Sequence, residues 1–155
     1  MNRYLSCLTL SAALLLPGLA TARPVTIHTN LKDYGGDGAY LALYLTDPSG
    51  AFSRTLWVAG RKSKYYKHLK DWNQAAGGTS AAIDGITGAS VGAGRSLTVT
   101  VEIEDALLDA GYTLHVDAAA EDLRDSPRDA SVPLTTSGTH EASGRIYVDK
   151  LRYEL

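Results

Sequence analysis

Stretch after stretch of this chain alternates apolar and polar residues with a period of two, and nothing else in the sequence constrains the fold as tightly. Val25, Ile27 and Thr29 share one face against Thr26 and His28; Leu41, Leu43 and Leu45 share one against Tyr40, Ala42 and Tyr44. Leu56 and Val58 continue the series. Leu97, Val99, Val101 and Ile103 oppose Thr98, Thr100 and Glu102, and Tyr112, Leu114, Val116 and Ala118 oppose Thr113, His115 and Asp117. Val132 and Leu134 flank Pro133, which lacks an N–H to donate and so places that strand at a sheet edge. Near the end, Ile146 and Val148 differ in parity from Leu151, Tyr153 and Leu155, which predicts a bulge or turn at Asp149-Lys150. Side chains on a strand alternate between its two faces, so this pattern reads as half-buried strands. Gly35-Gly36-Asp37-Gly38, Asp47-Pro48-Ser49-Gly50, Ala110-Gly111 and Ser126-Pro127 separate the runs as turns. The expected fold is all-β, an immunoglobulin-like antiparallel β-sandwich of about seven strands.

One segment follows a different period. Ser63 can cap a helix over Lys64–Ala76, in which Tyr65, Leu69, Trp72 and Ala76 form a buried stripe. Gly77-Gly78 ends it. The expectation is one short helix inserted between strands. Arg61, Lys62, Lys64, Lys67 and Lys70 crowd this segment with no acid among them, and Tyr65, Tyr66 and Trp72 are interleaved. That is either a solvated helix face or a surface for an anionic partner.

The first residues belong to something other than the fold. Arg3 precedes an apolar run from Leu5 to Leu19, broken by Pro17-Gly18, and Ala20-Thr21-Ala22 supplies the small residues a signal peptidase requires. The expectation is a signal peptide over 1–22, cut after Ala22, and a single domain over 23–155. The run is shorter than the span of about 20 apolar residues that crosses a bilayer. The one cysteine of the 155 residues, Cys7, lies inside it, so the exported domain has no disulfide and no cysteine metal site. A net charge of −2 argues against nucleic acid as a partner. The expected setting is periplasmic.

Most polar clusters read as ordinary surface. Asp33 and Asp37 flank a glycine turn without the ligand series of a calcium loop. Glu121, Asp122, Asp125 and Asp129 read as a solvated loop with Arg124 and Arg128 interspersed. His28 and His115 fall on outward strand faces, and His28, His68, His115 and His140 show no metal-ligand spacing. No metal site is expected.

The exception is the stretch 77–96, GGTSAAIDGITGASVGAGRS, which holds six of the 15 glycines. A connection this long inside a compact domain is either functional or disordered. Gly88-Ala89-Ser90-Val91-Gly92 matches the serine-nucleophile elbow in form, but a strand follows it where the elbow requires a helix, so hydrolase chemistry is not expected. Asp84-Gly85-Ile86-Thr87-Gly88-Ala89-Ser90 resembles the flavinylation motif of FMN-binding-domain proteins, in which an acid precedes a small-residue ending. In that family an FAD:protein FMN transferase joins the FMN phosphate to the last hydroxyl. The resemblance implies Ser90 as the acceptor and Asp84, Thr87, Gly88 and Ala89 as recognition residues; Ser stands where Thr is usual. Tyr66 or Trp72, on the neighbouring helix, would then stack on the isoalloxazine ring.

Over most of its length, through YLALYLTDPSGAFSRTLWVAG at 40–60, the basic helix, the DGITGAS loop and GYTLHVDAA at 111–119, the chain resembles a family of small predicted periplasmic proteins with no established activity. That resemblance implies the company of PepSY-type membrane proteins and of the transferase. The expected function is a periplasmic electron carrier with covalent FMN, not an enzyme with its own substrate. The alternative is a non-redox accessory module that docks a membrane partner.

Overall fold

The computed structural model describes residues 20–77, 83 and 85–155. The apolar run with Cys7, and Asp84 of the loop motif, lie outside the described residues. Among the described residues, nine strands pack as a two-sheet sandwich: β1 (Ala22–Leu31), β2 (Tyr40–Thr46), β3 (Phe52–Ala59), β4 (Thr87–Gly88), β5 (Ser96–Glu104), β6 (Thr113–Ala119), β7 (Ser126–Pro133), β8 (Glu141–Ser143) and β9 (Val148–Glu154). One sheet runs β5-β1-β9-β8 and the other β4-β3-β2-β6-β7. The excess over the expected strand number is β4 and β8, which are too short to show a period. All pairings are antiparallel except β3 with β4.

Alternation delivers the core as expected. Val25, Ile27, Leu41, Leu43, Leu45, Val99, Ile103, Leu114, Val116 and Leu151 meet between the sheets. Leu56 and Val58, which alternation places together, lie in two different clusters. Asn30 pairs with Lys150 and Leu31 with Val148, so Asp149 is the extra residue of a β-bulge where the parity changes. Pro133 is the last residue of β7, an edge strand.

The helical segment departs from expectation. A 3₁₀ turn covers Ser63–His68, the chain breaks at Leu69, and α1 covers only Lys70–Ala76. Neither piece is capped by the side chain of its own N-cap residue, Lys62 or Leu69. A 3₁₀ turn has three residues per turn. That period puts Tyr66 in line with Leu69 and Trp72, so the buried stripe contains Tyr66 and leaves Tyr65 half-exposed. Gly77, at φ 74°, ends α1 as expected.

This segment covers the outer face of the five-stranded sheet. Ala42, Tyr44, Val58, Tyr66, Leu69, Trp72, Ile83 and Ala119 form a second apolar cluster there. The centre of that sheet is therefore buried on both faces, and its outward polar residues are not solvated. His115 is buried, between Thr46 Oγ1 at 2.9 Å and Ser131 Oγ at 2.7 Å. Burial lowers its pKa to about 4, so the ring is neutral at pH 7.

Two carboxylates among the described residues are fully interior. Asp117 accepts from the Trp72 N–H at 2.9 Å, the Arg128 N–H at 2.8 Å and the Tyr44 hydroxyl at 3.0 Å. It thus supplies, from β6, the acceptor that α1 lacks at its own N-terminus. Asp129 belongs to β7 and not to a solvated loop. It takes the Ser126 hydroxyl at 2.6 Å and the N–H groups of Ile146, Tyr147 and Val148 at 2.7, 3.1 and 2.6 Å. These bonds tie the five-stranded sheet to the chain entering β9.

Candidate functional site

The glycine-rich stretch is held on both sides of Ser90. Before it, β4 lies along the edge of β3, with Thr87 beside Val58 and Gly88 beside Ala59. The Val58 N–H donates to Ile86 O at 2.9 Å and the Gly60 N–H to Gly88 O at 2.8 Å. After it, Val91 enters the core and exchanges two hydrogen bonds with Ala39, at 2.7 and 2.9 Å. Ala89 and Ser90 are exposed between these clasps.

Two of the neighbouring glycines make room for side chains. A Cβ on Gly88 would lie 2.9 Å from the Trp57 ring, and a Cβ on Gly38 would lie 2.9 Å from Ser90 Oγ. The glycine at 38 leaves the Ser90 hydroxyl without a side chain in front of it. Two residues on, Tyr40 packs against the apolar cluster on the outer face of the five-stranded sheet.

A cavity of about 290 Å³ opens on that face, lined by Tyr40, Tyr65, His68, Glu121 and Leu123 among others. The Tyr40 and Tyr65 rings lean together, 5.1 Å between centroids. Tyr65 donates to Glu121 at 2.8 Å, and the Lys64 ammonium sits 4.7 Å from the centre of the Tyr65 ring. His68 Nδ1 and Lys70 Nζ converge on Asp125 at 3.1 and 3.2 Å. Leu123, 43 % exposed, reaches back to Gly36 in the turn before Gly38. Arg61, Lys62, Lys64, Lys67 and Lys70 are all exposed beside it.

Of the residues singled out from sequence, Thr87, Gly88, Ala89 and Ser90 lie together at the sheet edge. Tyr66 and Trp72 lie elsewhere, inside the second cluster at 4 % and 1 % exposure. Tyr66 donates to Gly60 O at 2.9 Å, and Trp72 Nε1 donates to Thr55 Oγ1 at 2.8 Å. Their rings meet edge to face at 5.6 Å. Both aromatic faces are spent on packing, whereas Tyr40 and Tyr65, which line the cavity, keep half-exposed rings. The shift from Tyr65 to Tyr66 as the buried ring follows from the 3₁₀ turn, whose period a helical-wheel reading does not reproduce.

No histidine serves Ser90 among the described residues. His28 pairs with Thr98, His68 with Asp125, His115 with Thr46 and Ser131, and His140 stacks on Tyr153 at 4.6 Å. The described residues also contain no group of three His, Cys, Asp or Glu side chains that could hold a metal ion. No helix among them is long and apolar enough to cross a membrane.

Comparison with known proteins places these features in a family. No curated protein and no solved structure matches the chain. A family model described as "predicted periplasmic protein (DUF2271)" matches residues 22–150, which takes in both sheets, the helical segment and the Ser90 loop. The chain belongs to this family of predicted periplasmic proteins.

Proposed function

We propose that this periplasmic protein carries FMN as a phosphoester on Ser90 and passes electrons through it. The observation that supports the reading most directly is the exposed Ser90 hydroxyl, facing glycine at position 38 and held between two backbone clasps. In this reading the Ser90 oxygen attacks the FMN-side phosphorus of FAD within the FAD:protein FMN transferase. The pyrophosphate bond breaks, AMP leaves, and the hydroxyl proton passes to solvent. Asp84, Thr87, Gly88 and Ala89 are the residues the transferase reads. The isoalloxazine ring rests against Tyr40 and Tyr65, whose exposed faces take the part first expected of Tyr66 and Trp72. The flavin supplies the redox chemistry and the sandwich tethers and orients it. The electron partner is a PepSY-type protein of the inner membrane.

The test is co-expression with an FAD:protein FMN transferase, export, and an intact mass. An FMN-sized gain that disappears in Ser90→Ala supports the reading. No gain, or a gain that survives Ser90→Ala, ends it. The exposed cations Arg61, Lys62, Lys64, Lys67 and Lys70 favour a second reading, a non-redox module that docks a membrane partner through this face. A colourless protein that co-purifies with a membrane partner, and loses it when these five residues become Ala, selects that reading.

A further inference from the structure

The 3₁₀ turn sorts its side chains into three rows, because residues three apart lie one above another. Tyr66 and Leu69 form the first row and are buried against the five-stranded sheet, with Trp72 continuing it in α1. Tyr65 and His68 form the second and line the cavity. Lys64 and Lys67 form the third and are exposed, as are Arg61 before the turn and Lys70 after it. At about 2.0 Å of rise per residue, cations follow one another about 6 Å apart along this row. Lys62 is exposed at its start.

This ridge carries a concentrated charge that the protein itself does not neutralise. Five of the 15 cations fall within residues 61–70 with no acid among them, in a chain of net charge −2. Among the described residues, Arg61, Lys62, Lys64 and Lys67 enter no ion pair. Acids beside the segment are engaged elsewhere: Glu121 accepts from Tyr65, Asp125 from His68 and Lys70, and Asp71 pairs with Arg128 at 3.2 Å. Asp122 is an exposed acid on the cavity rim, and Arg124, also exposed, stands two residues on.

The composition of this face decides the class of partner. Four of the five cations are lysines, mobile point charges that suit a fluid array of phosphates better than the fixed, forked geometry an arginine makes with a carboxylate. Leu123 lines the same cavity as Tyr65 and is one of two large apolar side chains exposed among the described residues. Cations bordered by tyrosine rings and an exposed leucine are the mixture that a bilayer interface accepts. We propose that this ridge docks the protein on an anionic phospholipid surface, with Arg61, Lys62, Lys64, Lys67 and Lys70 against the headgroup phosphates. This shares with the second reading above the premise that this face meets a membrane, assigns the contact to lipid and not to a membrane protein, and holds with or without a group on Ser90.

The exported protein, purified without flavin, is sedimented with vesicles of phosphatidylglycerol and phosphatidylethanolamine in equal parts, and with vesicles of phosphatidylcholine alone. It partitions to the first and not to the second, and salt at about 1 M, where charges are screened beyond about 3 Å, releases it. Each cation at such a surface is worth about 5-fold in partition, so Lys64→Ala with Lys67→Ala lowers binding about 25-fold. Lys150→Ala, which removes the same charge from β9 on the other sheet, leaves binding unchanged. The proposal is overturned if the anionic vesicles bind no protein at low salt, if phosphatidylcholine binds it equally, or if the Lys64/Lys67 variant binds as the wild type does. It is also overturned if Lys150→Ala loses as much as that variant. Binding to native membranes but to neither vesicle assigns the ridge to a membrane protein, which overturns the lipid assignment and leaves the second reading standing.

Discussion

Asp117 is where a single atom pair can be removed with a result of known sign. Its Oδ2 receives the Trp72 N–H that α1 cannot satisfy itself, and its Oδ1 receives the Arg128 N–H and the Tyr44 hydroxyl. Asp117→Asn keeps the Oδ1 acceptor and puts an amide donor against the Trp72 N–H. The loss of one hydrogen bond to a charged group is worth about 1.5–3 kcal/mol at pH 7. Asp117→Ala leaves all three donors unpaired, which at about 1–2 kcal/mol each comes to roughly 3–6 kcal/mol. Domains of this size have about 5–15 kcal/mol in total, so the Ala variant is close to unfolding and the Asn variant is not. Urea titrations measure both. The pH dependence is the sharper check. Burial, aided by the nearby Asp71 charge, pushes the Asp117 carboxyl up against three hydrogen bonds that pull it down. The folded state therefore binds the proton more tightly than the unfolded chain, and stability attributable to this group rises as pH falls through the folded pKa toward 3.8. Asparagine does not titrate. The gap between wild type and Asp117→Asn must widen on acidification from pH 7. A gap that narrows would refute the claim that burial outweighs the hydrogen bonds at this carboxyl.

Other expectations follow from the same reasoning. His115, with its pKa lowered to about 4 from 6.5, gives stability that is complete above pH 6.5 and is lost as pH falls toward 4; its ring proton resonance should hold still between pH 7.5 and 5.5. Gly60→Ala puts a Cβ 2.1 Å from the Tyr40 ring at a φ of +111° and should cost about 3 kcal/mol by urea denaturation. The same change at Gly50, also at positive φ but with open space around it, should cost only about 1 kcal/mol.

The long strands were legible because alternation is a local property. β1, β5 and β9 declare their buried faces residue by residue, and the parity change at Asp149 marks its own bulge. What escaped depends on partners far along the chain. Trp57 reads as outward by simple alternation with Val58, and only the register of β3 against β2 turns it inward. His115 and Asp117 read as solvent-facing because nothing local says that residues 63–77 fold over their sheet. Asp129 looks like one acid among several until the backbone of Ile146–Val148 closes around it. At the candidate site, small residues around Ser90 foretold its exposure. Which rings stay half-exposed on the outer face did not follow, since it rests on a 3₁₀ turn and on Gly60 yielding its side-chain space to Tyr40.

The two clasps around Ser90 also set how the segment comes loose. β4 is held to β3 by bonds at Val58 and Gly60, and Val91 is held to Ala39 by one reciprocal pair. Releasing them uncovers Ile86 and Val91, few apolar side chains beside those of either core cluster, so this segment can open by itself while the other strands of both sheets stay paired. Its amides should exchange with solvent far faster than those of β2 or β6, at a free energy well below that of global unfolding. A modifying enzyme that needs an extended peptide would then meet one on a folded protein, with the rest of the domain intact in its grip.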